Sequence, residues 1–140
     1  MTRPESNRYL LDTSAVLTLI EDEPGADRVE ELLRSEAALL PFIAGLETYY
    51  ITLQERGPDE ADRRLFLLHQ LPVRWLDAVD DRVLVTAGRF KAHHRLALAD
   101  CLVAAFAANA GAVLVHKDPE YDALSDLRQE RLPYKEGPRR

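Results

Sequence analysis

Residues 97–118 read ALADCLVAAFAANAGAVLVHKD, an apolar helix followed by an apolar strand, with Gly111 between them. A carboxylate stands near each end of this stretch: Asp100 in the first turn of the helix and Asp118 just past the strand. An ionised carboxylate among apolar residues is costly unless a cation or hydrogen-bond donors compensate its charge. Both acids therefore need a chemical explanation.

Two further acids occupy similar apolar settings in the first half of the chain. Asp12 follows the short apolar strand at residues 9–11, and Glu47 lies within PFIAGLETYY at residues 41–50. Because ligands collect at the carboxyl ends of the strands in a parallel α/β sheet, acids that follow the first and fourth strands can meet there, joined by acids from intervening helices. Four converging carboxylates cannot all stay ionised without cations, and oxygen ligands suit Mg²⁺ or Mn²⁺.

Length and composition indicate an ordinary globular protein. The 140 residues are enough to bury about two thirds of the surface that the unfolded chain exposes, and 46% apolar with 30% charged content argues against disorder. No apolar run reaches the roughly 18 residues of a membrane span, and the N-terminal sequence MTRPESNRY lacks the apolar core of a signal peptide. We therefore expect one cytoplasmic domain over residues 1–140, with residues 135–140 as a frayed tail.

Charge and cysteine content restrict the possible chemistry. Cys101 is the only cysteine, which excludes an intrachain disulfide and a multi-cysteine metal site, and its apolar helix indicates a small buried hydrophobe. The net charge of −6 argues against indiscriminate binding of nucleic acid. Since the four acids named above would be compensated in a metal site, this charge does not exclude a nucleic-acid substrate.

Hydrophobic periodicity predicts short strands that alternate with helices. Strands are expected at residues 8–12, 37–40, 73–76, 113–116 and, at the sheet edge, 131–134; helices are expected at residues 14–20, 26–35, 43–56, 58–70, 80–94 and 97–110. Ser14 or Thr13 is expected to cap the first helix, and Leu84 is assigned to the inward face of the fifth. This order predicts a three-layer α/β fold with a mostly parallel sheet of four or five strands, flanked by helices.

Each acid also has an ordinary explanation when it is taken alone. Asp12 can belong to a capped turn, Glu47 can be a solvated helix residue, Asp100 can interact with the positive end of its helix, and Asp118 can initiate a turn. Two other acid-using α/β classes fit poorly: a receiver domain needs an additional adjacent acid, and a haloacid dehalogenase-type phosphatase needs a second Asp where this chain has Ser14. The recurrence of acids at strand ends and inner helix faces favours a shared site.

The combined pattern is carried by four segments. They are LLDTS at residues 10–14, Glu47 on the helix after the second strand, ALAD at residues 97–100 and HKDPEY at residues 116–121. In order and spacing these segments resemble a PIN domain, and more closely the VapC-type toxins of type II toxin-antitoxin pairs. The resemblance spans essentially the whole chain. It departs from the family pattern at His116, where Thr or Ser is frequent, and at Tyr121, where Phe is usual.

The resemblance implies a fold, an activity and a set of site residues. The fold is a PIN-like parallel sheet with helices on both sides, and the activity is Mg²⁺- or Mn²⁺-dependent hydrolysis of RNA to 5′-phosphate and 3′-hydroxyl ends. Asp12, Glu47, Asp100 and Asp118 match the family's metal-holding acids, and Thr13 matches the hydroxyl residue beside the first of them. One or two ions can perform this chemistry, with Glu47 completing a second metal site or orienting the nucleophile.

Contact with an RNA substrate needs positive charge, whereas the expected protein partners follow from the resemblance. Arg89, Lys91 and Arg95, near the end of the fifth helix, are candidates for RNA contact, although cations at a helix C-terminus are also favourable without a ligand. The resemblance implies a cognate antitoxin and a homodimer, with Tyr49 and Tyr50 as candidate partner-surface residues. Alternatives are a stand-alone PIN nuclease in RNA maturation and a noncatalytic PIN-like module that binds RNA or protein. The intact set of four acids argues against the noncatalytic module.

Overall fold

Strands and helices alternate along the chain as the hydrophobic pattern predicts. The structure is a computed structural model that describes residues 7–134, so the predicted frayed tail at residues 135–140 lies outside the described residues. The strands are β1 (Tyr9–Leu11), β2 (Ala38–Pro41), β3 (Arg74–Leu76), β4 (Val113–His116) and β5 (Gln129–Arg131). The helices are α1 (Thr13–Ile20), α2 (Ala26–Arg34), α3 (Phe42–Arg56), α4 (Pro58–Gln70), α5 (Asp81–His93) and α6 (Leu98–Ala110), with a short 3₁₀-helix at Pro119–Ala123.

The five strands form one sheet in the order β3-β2-β1-β4-β5, and every neighbouring pair is parallel. The central strand β1 places Leu10 opposite Leu39 of β2 and Leu114 of β4. The Asp12 amide then donates to the Val115 carbonyl, at 3.0 Å, so that β1 and β4 end side by side. The predicted α/β fold is confirmed, and the sheet of the described residues is parallel throughout.

Apolar side chains form two cores, one on each face of the sheet. Successive residues of a strand point to opposite faces, so Leu10 and Leu114 join one core with helix α6, while Leu11 and Val115 join the other with helices α1 and α2. Cys101 is fully buried in the α6 core, as predicted. The two central strands are buried through to their carboxyl ends, where the polar residues Asp12 and His116 begin.

Several local predictions are wrong, each for a physical reason. The edge strand β5 lies at Gln129–Arg131 rather than at residues 131–134, since its polar sequence gives no hydrophobic signal. The first helix is capped by Asp12, whose Oδ2 accepts from the amide and the hydroxyl of Ser14. Leu84 is 58% exposed, because α5 packs on α6 through a narrower stripe that includes Val83 and Ala87. The other element boundaries agree with expectation to within one residue.

Candidate functional site

The carboxyl edge of the sheet collects the acids that follow its strands. Asp12 comes directly after β1, and Asp118 comes two residues after β4, where its Oδ1 accepts from the amide of Glu120. Asp100 lies in the first turn of α6. Glu47 lies in α3, which begins immediately after β2. Because β1 and β4 are adjacent and parallel, the acids that follow them are brought to one edge, as the sequence predicts.

A compact group of carboxylates forms within this edge. Oxygens of Asp100, Asp118 and Glu120 all lie within 4.8 Å of one another. Glu120 was missing from the predicted site, although its position two residues after Asp118 was a usable signal. The 3₁₀-turn at residues 119–123 brings the two acids together on one side. Three oxygen donors at this separation are a suitable ligand set for a hard divalent cation.

Tyr121 links this group to Asp12. Its side chain is fully buried, and its hydroxyl lies 3.0 Å from Asp12 Oδ1 and 3.2 Å from Asp100 Oδ1. Burial, and then the two nearby carboxylates, raise the pKa of the phenol far above its ordinary value. The hydroxyl therefore remains protonated near neutral pH and acts as a donor to the acid pair.

Thr13 connects Glu47 to the same edge. The buried Thr13 hydroxyl donates to Glu47 Oε1 at 2.6 Å, which joins the start of α1 to α3. This short contact holds one carboxylate oxygen of Glu47 in a defined position and leaves the other without that constraint. The supporting role of Thr13 at the site stays a prediction.

The other three acids chosen from the sequence all affect Asp100 electrostatically. Its pKa is raised to about 6, first by burial and then by the charges of Asp12 and Asp118, with a smaller contribution from Glu47. The Tyr121 hydrogen bond acts in the opposite direction. All four acids chosen from the sequence therefore contribute to one electrostatic site. A bound cation would relieve this repulsion, and the donors are all oxygens, so the residues fit Mg²⁺ or Mn²⁺.

Two further side chains hold the ends of β1 and β4 in register. The Ser14 hydroxyl donates to Asp12 Oδ2 at 2.7 Å and accepts from the Lys117 amide at 3.0 Å. His116 Nδ1 accepts from the Asp118 amide at 3.0 Å, so the ring proton lies on Nε2 and is donated to Gln129 Oε1 at 2.8 Å. Sequence reasoning missed Gln129, since only the fold brings β5 beside β4.

The cations proposed for substrate contact lie at the end of α5 and in the loop that follows. Arg89, Lys91 and Arg95 are all exposed, and Lys91 Nζ donates to the Leu96 carbonyl at 2.7 Å. Lys91 also opposes the burial that raises the pKa of Cys101, so its charge lies near the start of α6. The three side chains thus border the helix that carries Asp100, while their role in binding remains a prediction.

Comparison with known proteins identifies the family to which this chain belongs. The model of the PIN domain matches residues 9–127 of the chain. A comparison with curated proteins finds no match. None of the helices between residues 7 and 134 has both the length and the apolar character that crossing a membrane requires.

Solved structures with the same fold include toxin-antitoxin proteins. VapBC2 of Rickettsia felis, bound to a promoter DNA fragment, is 17% identical with a TM-score of 0.75, covering 89% of this chain and 98% of that one. DNA-bound VapBC of Salmonella typhimurium is 20% identical with a TM-score of 0.73, covering 90% and 98%. VapC20 of Mycobacterium tuberculosis, described as a toxin cleaving the sarcin-ricin loop, is 15% identical with a TM-score of 0.67, covering 83% and 94%. With the family model spanning most of its length and its acids gathered at the carboxyl edge of a parallel sheet, the chain belongs to the PIN domain family.

Proposed function

We propose that this chain is an Mg²⁺- or Mn²⁺-dependent endoribonuclease and the toxin of a toxin-antitoxin pair. The observation that carries the proposal is the close grouping of acids: oxygens of Asp100, Asp118 and Glu120 lie within 4.8 Å of one another, and Asp12 and Asp100 share the Tyr121 hydroxyl. The raised pKa of Asp100, caused by burial and then by the charges of Asp12 and Asp118, agrees with this grouping. A protein gains nothing in stability from packing like charges together. Such a group is instead typical of a site built to bind a cation.

Different acids have different roles at the proposed metal site. Asp12, Asp100 and Asp118 are the principal ligands in this proposal, and Glu120 joins them because of its proximity to Asp100 and Asp118. Glu47, held by Thr13, completes a second metal position or orients the attacking water. When bound, the metal lowers the pKa of water, neutralises nonbridging phosphate oxygens and stabilises the leaving 3′ oxygen. The expected products carry 5′-phosphate and 3′-hydroxyl ends.

The substrate proposed for this site is RNA. The acids repel a phosphate backbone, so cations at the border of the site must attract it. Arg95, exposed three residues before α6, is the strongest candidate. Arg89 is also exposed but lies beside Asn109, near the end of α6, and the ammonium of Lys91 is partly engaged with the Leu96 carbonyl. The M. tuberculosis structure with this fold is described as a toxin that cleaves the sarcin-ricin loop, and this description supports the choice of RNA.

The proposed partners are a cognate antitoxin and a second copy of the chain, with all of them in the cytoplasm. Support comes from the R. felis and S. typhimurium structures, in which a toxin of this fold is joined to its antitoxin. The chain also presents exposed apolar residues on α3, namely Leu46, Tyr50 and Leu53. Exposed apolar side chains grouped on one helix are typical of a surface that a protein partner covers.

Cleavage of a structured-RNA pool tests the nuclease proposal. The purified protein is assayed with Mg²⁺, with Mn²⁺ and with EDTA, beside the variants Asp12→Asn and Asp100→Asn. We expect cutting that requires the metal and falls at least about 100-fold in both variants, because each removes a proposed ligand charge. The matched control is Asp62→Asn, which alters an exposed acid on α4 and should cut normally. Cutting that survives in EDTA or in either site variant would contradict the proposal.

A growth assay tests the toxin proposal separately. Expression of the native chain in a bacterial host should arrest growth, and Asp100→Asn should not. Co-expression of a short neighbouring reading frame that encodes a small DNA-binding protein should restore growth if that protein is the antitoxin. Normal growth with abundant, RNA-cleaving native protein would instead favour a stand-alone nuclease.

A further inference from the structure

The hydroxyl of Tyr121 occupies an unusual position between two proposed ligands. It lies 3.0 Å from Asp12 Oδ1 and 3.2 Å from Asp100 Oδ1, within a side chain that is fully buried. A phenol carries a single proton, so both carboxylates share one donor. The phenol therefore lies within hydrogen-bond distance of two oxygens that belong to proposed metal ligands.

The tyrosine is held firmly in this position. Its ring packs against that of His116, with centroids 4.7 Å apart. Its carbonyl accepts from Gln129 Nε2 at 3.0 Å and from the Leu124 amide at 2.9 Å. The hydroxyl therefore cannot move away from the acids without disturbing a buried ring and these backbone contacts.

Contacts other than Tyr121 place the Asp12 carboxylate and the backbone of Asp100. Asp12 is fixed through its other oxygen by the Ser14 hydroxyl at 2.7 Å, and it caps α1 directly. Asp100 is part of the first turn of the buried helix α6. A donor that is not needed to order a carboxylate acts mainly by stabilising its free anionic form. Stabilisation of the free anion lowers its affinity for any cation.

We propose that the Tyr121 hydroxyl is a built-in competitor of the metal ion. It compensates the charges of Asp12 and Asp100 when no metal is bound, and it thereby weakens the binding of a divalent cation. This inference rests on the proposed function, since it takes the two acids as metal ligands. It assigns to Tyr121 the role of setting the cation concentration at which the site fills.

Mn²⁺ binding to the variant Tyr121→Phe tests this inference. The substitution keeps the buried ring and removes only the hydroxyl. At pH 8, with metal-free protein and titration calorimetry, we expect Tyr121→Phe to bind Mn²⁺ about tenfold more tightly than the native chain, the effect expected from losing one hydrogen bond to a charged group. In EDTA, the same variant should melt about 3 to 6 °C lower, because Asp12 and Asp100 lose the hydrogen-bond donor that they share.

The matched control is Tyr49→Phe. This change removes a hydroxyl that donates to a carboxylate, Asp62 Oδ1 at 2.8 Å, on the exposed side of α3 and α4. It should leave Mn²⁺ affinity unchanged.

The pattern of results separates this inference from the proposed function. Mn²⁺ binding that is equal or weaker in Tyr121→Phe, with normal binding by the native chain, overturns the competitor role and leaves the metal site intact. Weaker binding would identify the hydroxyl as a positioning group for the acids. No detectable binding by either protein overturns the metal site and, with it, this inference.

Discussion

Burial and the neighbouring acids disfavour the ionised form of Asp100. Its folded-state pKa of about 6 lies above the ordinary value of 3.8, so between these pH values the folded protein binds more protons than the unfolded chain. The free energy of unfolding must therefore fall as pH rises through this window. The full difference corresponds to at most roughly 3 kcal/mol, and screening at this partly exposed side chain reduces it to about 1 to 2 kcal/mol.

Because the ionised Asp100 carboxylate lowers the free energy of unfolding, its replacement in Asp100→Asn has a predictable effect. In EDTA at pH 8, the variant should be about 1 to 2 kcal/mol more stable than the native chain, because an amide removes the repelled charge. Near pH 4 the difference should nearly vanish, since the native carboxyl is then protonated. Urea unfolding at a series of pH values measures both quantities.

Asp62→Asn is the control for this measurement, because Asp62 is an exposed acid outside the site. Its stability should follow the native pH profile. A native stability that rises between pH 4 and pH 7, with Asp100→Asn showing the same rise, would contradict the account of Asp100.

Helix α3 shows how one small residue positions an element. A Cβ atom added at Gly45 would lie 2.7 Å from the ring of Trp75, and that ring is stacked on His69 with centroids 4.6 Å apart. The missing side chain lets α3 approach β3 closely. This contact helps place Glu47, two residues farther along the same helix, at the carboxyl edge of the sheet.

The variant Gly45→Ala should destabilise the protein despite its better helix propensity. Alanine contributes roughly 1 kcal/mol in a helix interior, whereas overpacking against a constrained ring costs about 1 to 3 kcal/mol. We expect a net loss of about 1 kcal/mol in urea unfolding. Gly88→Ala in α5 is the matched control, because a Cβ there meets nothing within 4 Å, and it should increase stability. Equal gains in both variants would show that Trp75 yields freely.

The pairing of β4 with β5 depends on His116. The variant His116→Phe keeps an aromatic ring beside Tyr121 but removes the acceptor of the Asp118 amide and the donor to Gln129. We expect a loss of about 2 to 3 kcal/mol in urea unfolding, the cost of leaving buried polar groups unpaired. His69→Phe, which alters an exposed ring stacked on Trp75, should cost much less. Similar losses in the two variants would contradict this role.

For the molecule as a whole, the proposed metal site joins elements that are distant in sequence. Asp12 follows β1, Asp100 opens α6 and Asp118 follows β4, so a bound ion would connect three elements of the fold. At a concentration 100 times its dissociation constant, a ligand stabilises the folded state by about 2.7 kcal/mol. Calorimetry should therefore show a melting temperature about 5 to 10 °C higher with Mn²⁺ than with EDTA.

Two controls test whether the rise in melting temperature comes from Mn²⁺ bound at the proposed site. Na⁺ at matched ionic strength should produce a much smaller rise, since screening alone relieves only part of the repulsion. Asp100→Asn should lose most of the Mn²⁺ effect. An equal rise with Na⁺, or an undiminished rise in the variant, would mean that stabilisation does not come from the proposed site.

Some residues of the candidate site could be proposed from the sequence, and others could not. Asp12 and Asp118 could be proposed as site residues because each follows an apolar strand, and Asp100 could be proposed because it lies in an apolar helix. Glu120 escaped assignment because an exposed glutamate in a turn resembles an ordinary solvated acid, and only its position two residues after Asp118 distinguishes it. Gln129 and Ser14 escaped because their roles are contacts across 13 and 103 residues of sequence, which no local window contains.

Local periodicity was sufficient to establish the alternating strands and helices, the parallel sheet and the edge at which the acids collect. This follows because a strand's apolar pattern reports its burial, and the ends of parallel strands share one side. The strand order, the sharing of the Tyr121 proton by two acids and the raised pKa of Asp100 came only from the folded chain. These properties depend on distances between side chains that the sequence separates, and only packing sets those distances.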